Sequence, residues 1–396
     1  MNSKGFINVV LVILIVVLIC VAGYFTIVKK LLSPSGQQIP APQEVVSSIP
    51  QETTPTPKTL LPKKIIRVAV ILFGPANTFE KLYTKKQIQE QMFTNPDSVK
   101  NFYEEGSFHQ WSLAGDVFGE YLVPDSGDGT CQTEQWSDEA LTSAKNAGVD
   151  LNNYTNFIFV FPTEESGCTV GGWHVFGGNK SWVLNPSTNT FIHELGHAFD
   201  LAHANTLECY SKAIDSYSNC QDQEYGDLGD VMGGYSGPVN GGVTEFNGPH
   251  KVALGWIPDS NILTISSSGT YTIRPLEKSS QGVQIIKIKK VDTDEYYYLE
   301  YRQPIGVFDS KLASNLTRGA SIRVWNDYPR TTTKLIDVTP GGCIPSPITG
   351  CMTSDFVDAS LFDGASFNDS INNITIEQLS HNSDGVTVKI TLGSTQ

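Results

Sequence analysis

Chemically capable side chains are concentrated in one short stretch, Thr190-Phe191-Ile192-His193-Glu194-Leu195-Gly196-His197-Ala198-Phe199-Asp200-Leu201-Ala202-His203. Pro186, Ser187 and Thr188 supply a helix start, and Ile192, Leu195, Phe199 and Ala202 recur at helical spacing to form an apolar face. His193 and His197 are four residues apart. On a helix that spacing stacks both imidazoles on one side, one turn apart, where they can hold a single zinc ion at about 2.1 Å each. Glu194 then lies beside the ion without being forced to ligate it. It can take a proton from zinc-bound water, whose pKa the ion lowers to about 7, and hand it to a leaving amine.

A third ligand must fix the ion while one position stays open. His203 stands ten residues after His193 and reaches the ion if the chain turns back at Asp200. Such a turn needs positive φ, which Asp tolerates better than most residues at a cost of about 1 kcal/mol. Were the helix to run straight on, Asp200 would itself fall on the histidine face and offer its carboxylate. The ten-residue separation is that of the H-E-x-x-H-x-x-G-x-x-H zinc signature, which this run resembles, and the resemblance favours His203. Paired histidines also arise by chance on helices, where they are commonly satisfied core residues. A glutamate at the right offset and a third histidine at the right distance, in a chain with 7 His in all, argue for a metal site. His109, His174, His250 and His381 are read as surface or core polar groups, with His174 the nearest to an exception.

The H-E-x-x-H…H run resembles the zinc signature of the metzincin metallopeptidases, with Asp200 where that pattern has Gly. Gly229-Asp230-Val231-Met232-Gly233-Gly234 is similar to the Met-turn of those enzymes. Phe246-Asn247-Gly248-Pro249-His250-Lys251, followed by Leu254-Gly255-Trp256, resembles the segment after it in the gametolysin-like family. The likeness runs from about Ile65 to the C-terminus. It implies that His193, His197 and His203 ligate zinc, that Glu194 is the catalytic base and that Met232 is a hydrophobic floor beneath the imidazoles. Ordinary core packing, which a flexible thioether suits, is the other role open to Met232. A tyrosine after the Met-turn approaches the metal in some metzincins, but Tyr235 is one residue too far along and is not placed in the site.

These residues need a scaffold. Ile65-Ile66-Arg67-Val68-Ala69-Val70-Ile71-Leu72 and Phe157-Ile158-Phe159-Val160-Phe161 are nearly continuous apolar runs of the kind found in buried strands, separated by helical stretches around Pro96 to Glu105 and Asp138 to Ala147. An α/β catalytic domain, a twisted sheet carrying the zinc-binding helix, is expected over residues 65–261. Ser181-Trp182-Val183-Leu184 is expected as its edge strand, which in metzincins aligns extended substrate through main-chain hydrogen bonds. From 262 to 396 the pattern changes to alternation with turns: Thr270 to Ile273, Val283 to Ile288, Tyr296 to Tyr301, Ser321 to Trp325, Lys334 to Val338, Ile374 to Leu379 and Val386 to Leu392. Short strands so spaced predict an all-β, sandwich-like domain. Its Asp355, Asp358, Asp363 and Asp369 make Ca2+ a secondary cofactor candidate, but they lack the D-x-[DN]-x-[DN]-G loop and suit a solvated face better.

Phe6 to Val28 carries no ionisable acid or base and, as a helix, would be about 35 Å long, enough to cross a bilayer core. It predicts a transmembrane signal anchor at 6–28 behind a short cytoplasmic tail at 1–5, with the bulk of the chain exported, or secreted if the segment is cleaved. Residues 29–64, rich in Pro, Gln, Ser and Thr, read as an extended tether. Beyond residue 64 the chain carries 21 Lys+Arg against 39 Asp+Glu, a net charge of −18, which repels phosphate backbones and excludes a nucleic-acid binder. Six cysteines on the exported side fit disulfides, of which Cys209/Cys220 and Cys343/Cys351 would close short loops.

The sequence therefore predicts a membrane-anchored, extracytoplasmic zinc endopeptidase acting on proteins or peptides, with extracellular matrix or cell-wall glycoproteins among the candidates. A different class, a non-catalytic adhesion or matrix-binding protein with a structural zinc, would show a closed set of four ligands.

Overall fold

The apolar run from Ile65 becomes the heart of a parallel sheet because both of its faces are covered. In the computed structural model, β1 (Lys64–Pro75) lies between β2 (Trp111–Val123) and β3 (Asn156–Val160), and the sheet continues through β5 (Lys180–Val183) to β4 (Gly172–His174) in the order β2-β1-β3-β5-β4. The structure describes residues 64–75, 83–124, 130–161, 167–234, 242–341, 345–346, 350–351 and 355–393. The expected membrane segment and, apart from Lys64, the tether lie outside them. Among the described residues no helix is long and apolar enough to cross a membrane.

Residues of β1 alternate between two cores, as strand geometry requires. Ile66, Val68, Val70 and Leu72 face α1 (Lys85–Gln89), α2 (Val99–Gly106) and the histidine helix, while Ile71 and Phe73 face α3 (Thr133–Asn146) through Trp136 and Ala140. Both expected upstream strands and both expected helical stretches are present. Ser181 to Leu184 is not the edge. β5 pairs with β3 in parallel and with β4 antiparallel, so the rim is Gly172–His174. The physical reason is burial: Trp182, Val183 and Leu184 are apolar and covered on both sides, whereas β4 is half-buried. The long strand β2 carries Gly115, Asp116 and Glu120 and does not read as a strand in the sequence; Gly115 is needed because a Cβ there would lie 1.9 Å from the Val68 carbonyl oxygen.

After the histidine helix, α4 (Thr188–Ala198), the chain runs through β6 (Ala204–Glu208) and β7 (Gln221–Gln223) to α5 (Gly248–Ala253). β8 (Ile262–Ile265), β9 (Gly269–Ile273), β10 (Ile285–Lys289), β11 (Tyr296–Tyr301), the short α6 (Ser314–Thr317), β12 (Ala320–Trp325) and β13 (Thr333–Ile336) follow. A two-residue pairing of β14 (Pro345–Ser346) with β15 (Gly350–Cys351) precedes β16 (Ser366–Asp369), β17 (Ile374–Asn382) and β18 (Gly385–Leu392). All seven strands expected beyond residue 262 form. Together with β6, β7, β8 and β16 they build a seven-stranded sheet, β7-β6-β13-β12-β11-β10-β8, and a four-stranded one, β16-β17-β18-β9. Their facing sides share a core of Ile286, Ile288, Tyr297, Leu299, Ile322, Ile376, Val388 and Ile390. Strands from both sides of residue 262 thus belong to one sheet, since β6 pairs with β13 in parallel.

Among the described residues two disulfides form, Cys131–Cys168 and Cys209–Cys220, the chemistry of an oxidising compartment. The second is a pair expected from spacing. The other expected pair falls outside the described residues with Cys343. Asp363 accepts hydrogen bonds from Gln378 and His381, and Asp369 from Tyr297 and Asn372, so both are engaged within the protein.

Candidate metal centre

Ser187 caps the histidine helix by accepting a hydrogen bond from the Thr190 N–H at 3.1 Å. At the other end Asp200 has φ 66°, the Leu201 N–H reaches the Gly196 carbonyl and the Asp200 N–H reaches that of His197, both at 3.0 Å. This is a Schellman termination with Asp in the left-handed place glycine usually takes. The chain turns back there, and His203 rather than Asp200 joins the other two histidines. The Asp200 carboxylate points instead to Arg330, whose Nε lies at 2.8 Å.

His193, His197 and His203 bring ring nitrogens within 4.8 Å of one another, and among the described residues they are the group of His, Cys, Asp and Glu side chains arranged to share an ion. Each Nδ1 is committed elsewhere: that of His193 donates to the Val231 carbonyl at 2.9 Å, that of His197 to the Leu201 carbonyl at 2.8 Å and that of His203 to Glu224 Oε1 at 2.8 Å. A carbonyl or carboxylate can only accept, so each ring carries its proton on Nδ1 and turns an Nε2 lone pair inward. The Nε2 atoms of His197 and His203 are 3.2 Å apart. Two lone pairs so close repel unless a cation lies between them, and a tetrahedral zinc with bonds of about 2.1 Å sets its ligands about 3.4 Å apart. The donor set therefore fits zinc. Burial holds the His193 pKa down to about 4 and that of His197 to about 3, and it lowers His203 against the opposing pull of Glu224. All three are neutral, ready ligands at pH 7.

Glu194 is buried, its Oε2 has no hydrogen-bond partner, and loss of hydration pushes its pKa up to about 8. The rim strand β4 crosses it so tightly that a Cβ on Gly172 would lie 2.7 Å from Oε1. Met232 is fully buried beneath the same helix, where a Cβ on Gly196 would meet its Sδ at 2.4 Å. The turn at 229–234 is tied to the residue after His203, Ala204, whose N–H donates to the Met232 carbonyl and whose carbonyl accepts from the Asp227 N–H. Asp230, buried, accepts from the Met232 and Asn247 N–H groups and from His250 Nδ1. His174 donates to or accepts from Ser181 and stays outside the ligand set.

Sequence reasoning missed several neighbours. Glu224 orients His203, and the Tyr225 ring lies 4.0 Å from His203 and 6.0 Å from His193. Phe176 packs edge-on against His197 at 5.3 Å. None of these belongs to a periodic pattern; only their polarity or aromaticity within loops marked them. Tyr235 lies outside the described residues. A cavity of about 520 Å³ opens at the start of the helix, lined by Thr188, Asn189, Val243, Val307 and Phe308 among others; Asn189 is one turn before His193 on the same face.

No protein-family model matches the chain, and no curated protein matches it. Among solved structures, a chain described as "Structure of a chaperone-substrate complex" is similar at 14% identity with a TM-score of 0.25, over 46% of this chain and 31% of that one. This chain thus spans about a third of its length, and so distant a likeness bears on neither fold nor function.

Proposed function

We propose that the chain is a zinc-dependent endopeptidase of the metzincin type, gametolysin-like, held outside the cytoplasm by its N-terminal segment. The observation that carries this reading is the inward convergence of three Nε2 lone pairs next to a buried carboxylate oxygen that has no partner. Zinc bound there supplies Lewis acidity, which polarises a scissile carbonyl and makes water nucleophilic at neutral pH.

This chain's residues do the rest. Glu194 accepts the water proton at Oε2 and returns it to the departing amine. Burial alone raises its pKa to about 8 and a neighbouring dication lowers it again, which brings the carboxyl toward the range where one group can serve both steps. Three protein ligands leave a coordination position for substrate or water, the arrangement of catalytic rather than structural zinc sites. The rim strand β4 has no neighbour on its outer side among the described strands, so an extended peptide can add there and present its carbonyl to the site. The strongly negative surface favours neutral or cationic protein substrates.

The test is Glu194→Gln. It removes the base and keeps the three imidazoles, so bound zinc is expected at one per chain while hydrolysis of a peptide library falls by several orders of magnitude. Near-parental hydrolysis by that variant refutes the assignment.

A further inference from the structure

We propose that Arg330, from the turn between β12 and β13, is a positioning residue of the metal centre: it locks Asp200 in its left-handed conformation and so sets His203 against the same ion as His193 and His197. The inference rests on the zinc reading above.

The third ligand depends on one unfavourable residue. A left-handed conformation costs a non-glycine residue about 1 kcal/mol, and Asp200 adopts it with φ 66° where glycine would be free. Arg330 holds that residue at both ends. Its backbone N–H donates to the Asp200 carbonyl at 2.9 Å, and its Nε donates to Asp200 Oδ1 at 2.8 Å. Three residues further on, the Thr333 N–H donates to the His203 carbonyl at 3.3 Å, where β13 begins its pairing with β6 in the register Thr333↔Ala204. One short segment therefore grips the turn before the ligand and the backbone of the ligand itself. The same guanidinium lies 5.6 Å from the Phe176 ring, which packs on His197. Arg330 thus touches the surroundings of two of the three ligands and none of the ligands directly.

Groups that orient a metal ligand commonly change affinity 10- to 100-fold when removed, and an ion pair exposed to nearly half its area lies at the low end of that range. The backbone bond survives truncation of the side chain, which keeps the effect at that low end. Arg330→Ala is therefore expected to weaken zinc binding by about tenfold. Asp200→Gly needs no clamp and is expected within about threefold of the parent. The combination Asp200→Gly with Arg330→Ala is decisive: if the arginine acts by holding the turn, glycine relieves the need for it and affinity returns to within about threefold of the parent.

Zinc affinity is measured on the metal-free full-length chain in mild detergent by competition with a chromogenic chelator, with thermal unfolding confirming that each variant is folded. Cobalt(II) replaces zinc in a parallel series. A fully seated third imidazole gives the parent's visible absorption, which Arg330→Ala is expected to weaken and the double variant to restore. Unchanged affinity in Arg330→Ala, or a double variant as weak as Arg330→Ala, overturns the inference while leaving the zinc assignment standing. A parent chain that binds no zinc removes both.

Discussion

Replacing Gly172 by Ala tests whether Glu194 acts from the place where β4 holds it. An added Cβ would lie 2.7 Å from Glu194 Oε1, 3.0 Å from Thr190 Cγ2 and 3.0 Å from the Trp182 carbonyl oxygen. Ordinary carbon–oxygen contact begins at about 3.4 Å, so the carboxylate must retreat by roughly 0.7 Å or the rim strand must lift. Retreat toward β5 is blocked by the backbone of Trp182, leaving the flexible end of Glu194 as the group that yields. Displacing a catalytic group by about 1 Å can cost 100-fold in rate, and a shift of this size is expected to cost about 10- to 100-fold in kcat/KM. The accompanying overpacking should destabilise the fold by about 1–3 kcal/mol. Zinc affinity should hardly change, because no imidazole is touched. The neighbouring Gly171 provides the control, since a Cβ there meets nothing within 4 Å. Peptide hydrolysis, thermal unfolding and chelator competition are compared for the two variants. Parental kcat/KM and unfolding temperature in Gly172→Ala, or an equal loss in Gly171→Ala, would refute the reasoning.

The disulfides should differ in weight according to the loops they close. A separation of 37 residues between Cys131 and Cys168 predicts a loss of about 4 kcal/mol on paired replacement by Ser, against about 3 kcal/mol for the 11 residues between Cys209 and Cys220. Denaturant unfolding measures both, and a reversed order would contradict the loop argument. The metal-free protein should also show a stability maximum near pH 6.5 from three site groups. His193 and His197, with folded pKa values of about 4 and about 3, bind fewer protons folded than unfolded, so their contribution is present above the unfolded value near 6.5 and is lost as pH falls below it. Glu194, at about 8, binds more protons folded, and its contribution is lost as pH rises from about 4.5 to 8. Unfolding across that range, compared with a Glu194→Gln variant that should lose the alkaline decline, checks both signs.

Much of the scaffold was legible because burial leaves a pattern. β1 and β3 are covered on both faces and read as continuous apolar runs, while β9, β16, β17 and β18 alternate because one face meets the facing sheet and the other is open. The site was legible through spacing, since a helix converts a separation of four into a shared face. What escaped was set by tertiary partners. β2 is half-buried and glycine-bearing, β6 and β7 are short, and their pairing with distant segments fixes them as strands. The exchange of edge and interior between β4 and β5 follows from which strand has neighbours, a property of the assembled sheet. Asp200 shows both limits: its identity announced an unusual turn, but the residue that holds it lies 130 positions away.

That distance states a general condition for this metal centre. The helix sets the spacing of His193 and His197, with Val231 also holding the first ring, whereas His203 and Met232 sit on chain that leaves the helix and must be held from outside. Beside Glu224 on His203, further holding groups come from beyond residue 245. Arg323 Nε donates to Asp227 at 2.8 Å and Arg302 Nη1 to the Gly229 carbonyl at 2.9 Å, gripping the turn that leads to Met232 from β12 and the end of β11. Asp230 is bonded to Asn247, and Asn247 donates to Thr333 Oγ1 at 2.9 Å, linking the turn to the strand beside β6. Arg302 and Arg323 are buried with Asp227, Glu300, Asp309 and Glu277 around them. Removing one partner from such a set leaves a buried charge uncompensated, at a cost of about 3–5 kcal/mol, so the set resists partial opening. The residues after 262 therefore help to build the candidate metal centre, since they grip the chain that carries His203 and Met232.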